Sequence, residues 1–196
     1  MPLVFLVRHN IDLSARYINA MYNNLTKEVI MGGKAHGGKR ISREAAMSLY
    51  SEIVDQMPTV ESVILCGSAR RLKPTCGDLD IVVVPAQDPE LAGELDKFFV
   101  RMFGHQKSGK PAKTGLFRGV QTEFYVASPN NYGTFKQMWT GSAYHNVSLR
   151  RKATKLGYSL SQYGLKCKTT GELLEFKSEE ALYEALNTPY KKPEDR

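Results

Sequence analysis

The run GDLDIVVV at residues 77–84 constrains the fold of this chain more than any other stretch. Positions 81–84 are all apolar, which is typical of a strand that is covered on both faces and lies centrally in its sheet. Because side chains alternate along a strand, Asp78 and Asp80 project from one face while Leu79 projects from the other. Two carboxylates on one face repel each other, so the start of this strand predicts a bound positive group.

A pair of divalent cations is one solution to that repulsion. Two Mg²⁺ ions roughly 3.5–4 Å apart, held by aspartates such as Asp78 and Asp80, serve in-line phosphoryl displacement. One ion would activate an attacking hydroxyl, and the other would hold triphosphate oxygens and stabilise the leaving pyrophosphate. The alternative is structural: Asp78 caps a turn after Gly77, and Asp80 pairs with an arginine. The Asp-x-Asp spacing alone leaves both interpretations open.

A third acidic residue, Glu123, occurs in the stretch QTEFYV, which is rich in residues that favour strands. If residues 122–126 pair beside residues 80–84, Glu123 can reach the same cations and help to deprotonate the attacking hydroxyl. The alternative is a solvated glutamate at the edge of the sheet, where most acidic side chains stay exposed.

Candidate anion donors precede the aspartates. Gly67 and Ser68 directly follow a predicted strand, and Arg70 and Arg71 come shortly after them. Glycine lets backbone amides approach a phosphate closely, serine adds a hydroxyl donor, and arginine can bind phosphate oxygens through two parallel hydrogen bonds. Residues 67–71 are therefore expected to receive phosphates.

The composition is that of a basic globular protein. Its 196 residues include 27 Lys and Arg against 20 Asp and Glu, which favours a partner made of phosphates, nucleic acid above all. Cys66, Cys76 and Cys167 fit no zinc spacing and indicate a reducing compartment, so we expect a cytoplasmic location, in a host cell if the source is viral. The sequence shows no membrane-spanning run and no signal peptide, so no membrane partner is expected.

Local patterns predict two units, an α/β unit to about residue 128 and a smaller α+β unit after it. Ser42 and Asp88 are predicted helix N-caps. The Gly-rich stretch 31–40 imitates a P-loop, but Arg40 stands where Ser or Thr is needed, which favours a basic connector. The predicted elements are helices at 13–30, 42–57, 88–102, 142–156 and 178–187, strands at 60–66 and 80–84, a basic loop at 104–115, a hairpin at 116–127 and an extended segment at 158–168.

These motifs resemble the X family of DNA polymerases, typified by the eukaryotic repair polymerase beta. The nucleotidyltransferase palm of that family carries G-S-x-R-R, a short spacer and G-D-x-D, which match residues 67–71 and 77–80. A second family signature is an aromatic pair and T-G-S, followed by an asparagine and an arginine on the next helix. Here MWTGS occupies 138–142, with Asn146 and Arg150 at the matching offsets.

The resemblance covers about residues 39–196. It implies an α+β fold: a nucleotidyltransferase-type palm, with a mixed β-sheet and helices on one side, plus a small C-terminal α+β subdomain. We expect an N-terminal helical extension and basic Gly-rich loop at 1–38, the palm at 39–128, and a nucleotide- and template-binding subdomain at 129–196. Full-length relatives place a lyase domain and a helix-hairpin-helix clamp before the palm, for which residues 1–38 are expected to be too short.

The resemblance also implies which residues bind metal ions and phosphates. Asp78, Asp80 and Glu123 would act as the catalytic carboxylates and hold two Mg²⁺ ions, for which Mn²⁺ can substitute. The expected triphosphate ligands are Arg40, Gly67, Ser68, Arg71 and Gly77.

The second signature implies contacts to the sugar, the bases and the DNA. A turn formed by Trp139, Thr140 and Gly141 would lie against the sugar and exclude a ribose hydroxyl. Asn146 would touch the minor-groove edge of the incoming base, and Arg150 that of the template. The expected DNA-binding residues are Arg150, Arg151 and Lys152, on a helix that would close over the nascent pair.

Four positions depart from the family pattern. Glu123 replaces an aspartate and Gln121 replaces an arginine, which affects metal placement and the orientation of the third carboxylate. Met138 replaces a tyrosine and Ala143 replaces an acidic residue, which affects sugar discrimination.

The sequence therefore predicts a template-dependent DNA polymerase that fills short gaps in DNA repair, acting as a monomer on gapped or primer-template DNA with dNTPs. One alternative is a template-independent nucleotidyltransferase that acts on tRNA or protein, although Asn146 and Arg150 would be idle in such an enzyme. The other is a DNA-binding protein with a decayed active site, which Gln121 and Glu123 support.

Overall fold

The computed structural model of the chain describes residues 40–104 and 112–196. The helix expected at 13–30, the glycines of the P-loop-like stretch 31–40 and most of the expected basic loop lie outside this part. Among the helices that the structure describes, none is both long enough and apolar enough to cross a membrane.

The described residues form six α-helices, a 3₁₀ turn and nine strands. The helices are α1 (Arg43–Gln56), α2 (Gly67–Arg70), α3 (Pro89–Phe103), α4 (Tyr132–Thr140), α5 (Ala143–Lys155) and α6 (Glu179–Ala185), and the 3₁₀ turn is Pro193–Asp195. The strands are β1 (Ile41–Ser42), β2 (Val60–Leu65), β3 (Thr75–Cys76), β4 (Asp78–Pro85), β5 (Ala112–Phe117), β6 (Val120–Val126), β7 (Tyr158–Ser161), β8 (Gly164–Cys167) and β9 (Leu173–Leu174).

A four-stranded mixed sheet, in the order β2–β4–β6–β5, forms the centre of the fold. β4 lies between β2, with which it is antiparallel, and β6, with which it is parallel. The parallel register places Asp80 beside Glu123 and Ile81 beside Phe124. The central position of β4 and its pairing with the strand of Glu123 are both confirmed.

One face of this sheet packs against α1 and α3. Leu79 and Ile81 of β4 are fully buried there, against Ile53 of α1 and Phe99 of α3. The ring centroids of Phe99 and Phe124 lie 5.1 Å apart. This apolar layer holds β4 rigidly, because a close-packed interior leaves little room for a strand to shift.

Both helices on this face begin at the N-caps that the sequence predicts. The Ser42 Oγ accepts a hydrogen bond from the Ala45 amide at 3.1 Å, and the Asp88 Oδ1 accepts one from the Glu90 amide at 2.8 Å. Pro89 occupies the first turn of α3. Each cap satisfies an amide that has no partner within its helix.

The opposite face of the sheet, which carries the aspartates, is covered by α4. Phe135 of α4 packs there against Val82 and Tyr125. The sequence does not predict α4, because Gly133 and several polar residues interrupt any apolar stripe. Gly133 is needed for close packing, since a Cβ on it would lie 2.2 Å from the Ser178 carbonyl carbon. A tertiary contact thus overrides a weak local pattern.

The expected basic loop at 104–115 is wrong in its last part. β5 begins at Ala112 and pairs antiparallel with β6, so that Thr114 lies opposite Glu123. β5 is one of the two edge strands of the sheet, with β2 at the other edge. Polar side chains such as Lys113 suit an edge strand, and they conceal the strand pattern in the sequence.

The C-terminal part of the chain has a core of its own between α5, α6 and the sheet β7–β8–β9. The predicted helices at 142–156 and 178–187 are confirmed, and the extended segment at 158–168 is a hairpin of β7 and β8. Both parts are α+β, as the family resemblance implies, while a boundary at residue 128 stays a prediction. The buried core residues here are Leu149, Ala153, Leu160, Leu165, Leu182, Tyr183 and Leu186.

Candidate active site

Three carboxylates share one face of the central sheet. Asp78 and Asp80 project from β4 on the face opposite Leu79, and the parallel register places Glu123 of β6 directly beside Asp80. Asp78 is exposed to solvent, whereas Asp80 is partly buried. The strands therefore bring together the three acidic residues that the sequence singles out.

The protonation of Asp80 reflects this crowding. Burial, followed by the charges of Asp78 and Glu123, raises the pKa of Asp80 to about 7. Burial and the Glu123 charge also raise the pKa of Asp78, although Arg40 and Arg71 act in the opposite direction. A bound cation would relieve this repulsion, because its charge favours the ionised form of each carboxyl.

Tyr125 joins the carboxylates from the same face of β6. Its hydroxyl donates a hydrogen bond to the Glu123 Oε2 and lies 3.4 Å from the Asp80 Oδ1. The indole of Trp139, from the last turn of α4, stacks on the Tyr125 ring with a centroid separation of 3.4 Å and an interplanar angle of 10°. The stack connects α4 to the acidic cluster.

The donor set fits divalent cations in chemical type, since carboxylate oxygens are the ligands that Mg²⁺ prefers. Within the described residues, no group of three or more His, Cys, Asp or Glu side chains is already arranged to hold a metal ion. Glu123 has other partners: its carboxylate accepts hydrogen bonds from Tyr125 and, at 3.4 Å, from the Gln121 side chain. Glu123 would have to leave Tyr125 to join Asp78 and Asp80 around a cation.

The turn after β2 places Gly67 against Asp80, and Ser68 is the next residue of the same turn. Gly67 begins α2 with a φ of +58°, and the preceding Cys66 amide donates to the Asp80 carbonyl oxygen at 2.7 Å. A Cβ on Gly67 would lie 2.2 Å from the Asp80 Oδ2. Glycine is therefore required by both the backbone conformation and the close approach of the carboxylate.

Two of the expected phosphate ligands, Arg71 and Arg40, flank the carboxylates. The Arg71 Nη1 donates to the carbonyl oxygen of Thr140, and its Nε is buried without a hydrogen-bond partner among the described residues. Arg40 donates to the Thr75 Oγ1 at 3.0 Å and to the Thr75 carbonyl at 2.7 Å. Its Nη1 would lie 3.3 Å from a Cβ on Gly77, so Arg40 and Gly77 are neighbours.

The expectation that the whole run 67–71 receives phosphates is wrong for Arg70. Its guanidinium forms two hydrogen bonds with the Glu179 carboxylate, at 2.5 and 3.1 Å, and a third with the Thr140 Oγ1 at 2.5 Å. Glu179 is 1% exposed and also accepts from the Arg196 Nη1 at 2.7 Å. Arg70 therefore joins the central unit to the C-terminal unit.

The expected sugar-binding turn proves to be the end of a helix. Trp139 and Thr140 belong to the last turn of α4, and the chain reverses at Gly141, with φ of +73°. Asn146, on the following helix, is held against α4: its Nδ2 donates to the Met138 carbonyl at 2.8 Å, and its Oδ1 accepts from the Gln137 Nε2 at 2.8 Å.

The three expected DNA-binding residues lie on α5 and are exposed, but they differ in their contacts. The Arg150 Nη2 donates to the Met138 Sδ at 3.2 Å, and the Lys152 Nζ donates to the Thr188 Oγ1. Arg150 and Arg151 line a shallow surface hollow together with Val147, Thr154 and Lys155.

Comparison with known protein families agrees with this architecture. The DNA polymerase beta palm matches residues 40–143, more than half of the chain, and the DNA polymerase beta thumb matches residues 136–196. The chain belongs to the X family of DNA polymerases. The central sheet with α1 to α3 is thus a palm of the nucleotidyltransferase type, as expected from the sequence.

Curated relatives of this X-family chain are DNA polymerases by name. It is 27% identical over 187 residues to the DNA polymerase/3'-5' exonuclease PolX of Bacillus subtilis, covering 90% of the chain. It is 24% identical to rat DNA polymerase lambda over 194 residues and 27% identical to that of Arabidopsis thaliana over 167 residues, covering 75% and 69% of the chain. The chain spans about a third of the length of these relatives, namely 32%, 34% and 32%.

Membership of the X family supports two coarse functional statements. Palm and thumb domains of this type imply DNA binding, and the family generally uses divalent metal ions.

The close contact between Gly67 and Asp80 leads to a testable expectation. Gly67→Ala should destabilise the protein by about 1–3 kcal/mol and lower any metal-dependent nucleotide transfer at least roughly tenfold, because its Cβ collides with the Asp80 carboxylate at a positive φ. Chemical denaturation and single-turnover rates measure both effects. Gly93→Ala is the matched control: its Cβ meets nothing within 4 Å, and it should stabilise α3 by about 0.5–1 kcal/mol. Equal effects of the two variants would contradict this account.

The sequence alone does not identify three residues of the site. Tyr125 lies two positions after Glu123 on the same strand, so its shared face is a signal that could have identified it. Gln137 reaches Asn146 and Glu179 reaches Arg70 only through tertiary packing. No spacing in the sequence indicates those two pairings.

Proposed function

We propose that this chain is a template-dependent DNA polymerase that adds dNTPs to a primer 3'-hydroxyl, acting as a monomer that fills short gaps in DNA repair. The observation that carries the proposal is the placement of Asp78, Asp80 and Glu123 on one face of β4 and β6, beside Gly67. Family membership adds support, since the named relatives are DNA polymerases.

In this proposal Asp78, Asp80 and Glu123 would hold two Mg²⁺ ions, which would supply Lewis-acid chemistry for the primer hydroxyl and for the leaving pyrophosphate. Glu123, released from its hydrogen bond with Tyr125, would complete the set of carboxylates and would help to deprotonate the attacking hydroxyl. Arg71, turned from the Thr140 carbonyl, binds the triphosphate through its guanidinium. The other triphosphate ligands are Arg40, Gly67, Ser68 and Gly77.

The end of α4 and the start of α5 position the nucleotide. The backbone at Trp139, Thr140 and Gly141 lies against the sugar, and Asn146 contacts the minor-groove edge of the base. Arg150, Arg151 and Lys152 bind DNA, and the electrostatic part of that binding weakens as salt increases. A cytoplasmic location and a viral source stay predictions.

One observation favours a second candidate, a DNA-binding protein with a decayed active site. The Glu123 carboxylate is engaged by Tyr125, and the aspartate and arginine of the family pattern are Glu123 and Gln121 here. In that case the chain would bind gapped DNA without metal-dependent turnover.

Primer extension on a one-nucleotide-gapped duplex, with Mg²⁺ and each dNTP separately, tests the proposal. Four substrates that differ in the template base should each direct insertion of the complementary nucleotide, because in this proposal Asn146 contacts the incoming base and Arg150 the template base. Insertion that ignores the template base would replace the proposal with a template-independent transferase. Retained binding of gapped DNA without insertion would favour the decayed site.

A further inference from the structure

A buried glutamine lies beneath Asn146. Gln137, in the second turn of α4, is 0% exposed, and its Nε2 donates a hydrogen bond to the Asn146 Oδ1 at 2.8 Å. The Asn146 Nδ2 donates in turn to the Met138 carbonyl at 2.8 Å. Asn146 itself is partly exposed.

These two hydrogen bonds decide which end of the Asn146 amide is free. A carboxamide nitrogen carries two hydrogens, and the Met138 carbonyl accepts only one of them. The amide oxygen, by contrast, is directed at the Gln137 Nε2. Asn146 therefore keeps an N–H donor for a ligand, while its oxygen is occupied within the protein.

A free donor is the chemistry that suits the minor groove of any base pair. Adenine N3 and thymine O2 are both acceptors, and G·C pairs present acceptors in the corresponding positions. An N–H donor at this point can form a hydrogen bond with any of the four bases. An amide oxygen in the same place would face their acceptor atoms and be repelled. The orientation of the Asn146 amide thus decides between attraction and repulsion for every incoming base.

We infer that Gln137 is a positioning residue that fixes the Asn146 amide with its N–H toward the incoming nucleotide. The inference rests on the proposed function, because it needs a templated dNTP at this site. A packing role explains Gln137 less well: its Oε1 is buried without a hydrogen-bond partner among the described residues, and an apolar side chain would fill the same space without that cost.

Equilibrium binding of dNTP tests the inference without catalysis. Isothermal titration calorimetry would use the chain bound to a one-nucleotide gap with a dideoxy-terminated primer and Mg²⁺, titrated with the complementary dNTP. Gln137→Leu should weaken binding about 3- to 10-fold, because Asn146 loses one of the two hydrogen bonds that set its orientation. Gln137→Glu should weaken it further, since a carboxylate accepts from the Asn146 Nδ2 and turns the amide oxygen toward the base. Gln137→Leu remains informative if the buried charge of the second variant prevents folding.

A purine nucleotide with carbon in place of N3 separates positioning from structural damage. Opposite thymine, the wild type should bind this analogue several-fold more weakly than dATP. In Gln137→Leu the two nucleotides should bind with nearly equal affinity. Adding Gln137→Leu to Asn146→Ala should change dATP binding by less than about twofold, because the two residues act as one unit. If Gln137→Leu weakens both nucleotides equally, or weakens neither, the inference is wrong.

The same titration distinguishes the failure of the inference from the failure of the proposed function. Wild-type protein that binds the complementary dNTP without preference over the other three would overturn both. A clear preference in the wild type, with no loss of analogue discrimination in Gln137→Leu, would overturn only the role of Gln137.

Discussion

Asp80→Asn is expected to lower nucleotide transfer by about 1,000-fold or more while making the metal-free protein more stable at neutral pH. Transfer falls because the amide removes a charged ligand from the carboxylate set. Stability rises because burial and two neighbouring charges raise the pKa of Asp80 from 3.8 to about 7 in the folded protein. The ionised form is therefore unfavourable in the fold, and asparagine never ionises.

The sign of the pH dependence follows from linkage. Because the folded pKa is the higher one, the contribution of Asp80 to stability is fully present below pH 3.8, where its carboxyl is protonated in both states, and it is lost as the pH rises through about 7. Asp80→Asn should thus gain about 1–3 kcal/mol at pH 8 and little near pH 4. Denaturant unfolding in EDTA at both pH values measures this gain.

Two comparisons check the Asp80 prediction. Asp96→Asn, at an exposed position of α3, should change stability by less than about 0.5 kcal/mol at either pH and leave transfer unchanged. Added Mg²⁺ should stabilise the wild type at pH 8 more than it stabilises Asp80→Asn. Full activity in Asp80→Asn would remove Asp80 from the catalytic site.

Glu179→Gln is expected to destabilise the protein by about 3–5 kcal/mol, because it leaves Arg70 and Arg196 buried without their shared counter-charge. Burial alone would raise the pKa of Glu179, but hydrogen bonds and charges from Arg70 and Arg196 outweigh it and lower the pKa below its ordinary value of 4.5. The ion pairs therefore contribute stability above pH 4.5, and this contribution is lost as the pH falls through the folded value.

Denaturant unfolding at pH 7 and at progressively lower pH tests the Glu179 prediction. The stability difference between wild type and Glu179→Gln should shrink in acid, where protonated glutamate resembles glutamine. Glu180→Gln is the matched control, since Glu180 is the next residue of α6 and is exposed. A loss below about 1 kcal/mol in Glu179→Gln, or an equal loss in Glu180→Gln, would show that the network does not hold the two units together.

The sequence predicts the two aspartates of the acidic site well, because side chains along a strand alternate strictly between its two faces. The spacing of Asp78 and Asp80 determines a common face, and the apolar run after them determines a central strand. Polar residues at helix starts are equally direct signals, as Ser42 and Asp88 demonstrate. The placement of Glu123 needed the structure, since strand pairing is not a local property of the sequence.

The features that the sequence does not predict depend on contacts between distant segments. α4 contains Gly133, although glycine is unfavourable within a helix. Glycine is needed there because the Ser178 backbone lies where a side chain would be. Beside Arg71, Arg70 is expected to bind phosphate. Its guanidinium instead donates hydrogen bonds to Glu179, more than a hundred residues later in the chain. In both cases the local sequence allows more than one role for the residue, and tertiary packing determines which role it has.

The stack of Trp139 on Tyr125 has a spectroscopic consequence. Trp139 is the one tryptophan in the chain, so indole fluorescence arises from a single place. The indole stacks on the Tyr125 ring, and the Tyr125 hydroxyl contacts Asp80 and Glu123. Any event that draws Glu123 from Tyr125 alters the surroundings of the indole, and the unlabelled protein thus contains its own optical reporter of the acidic cluster.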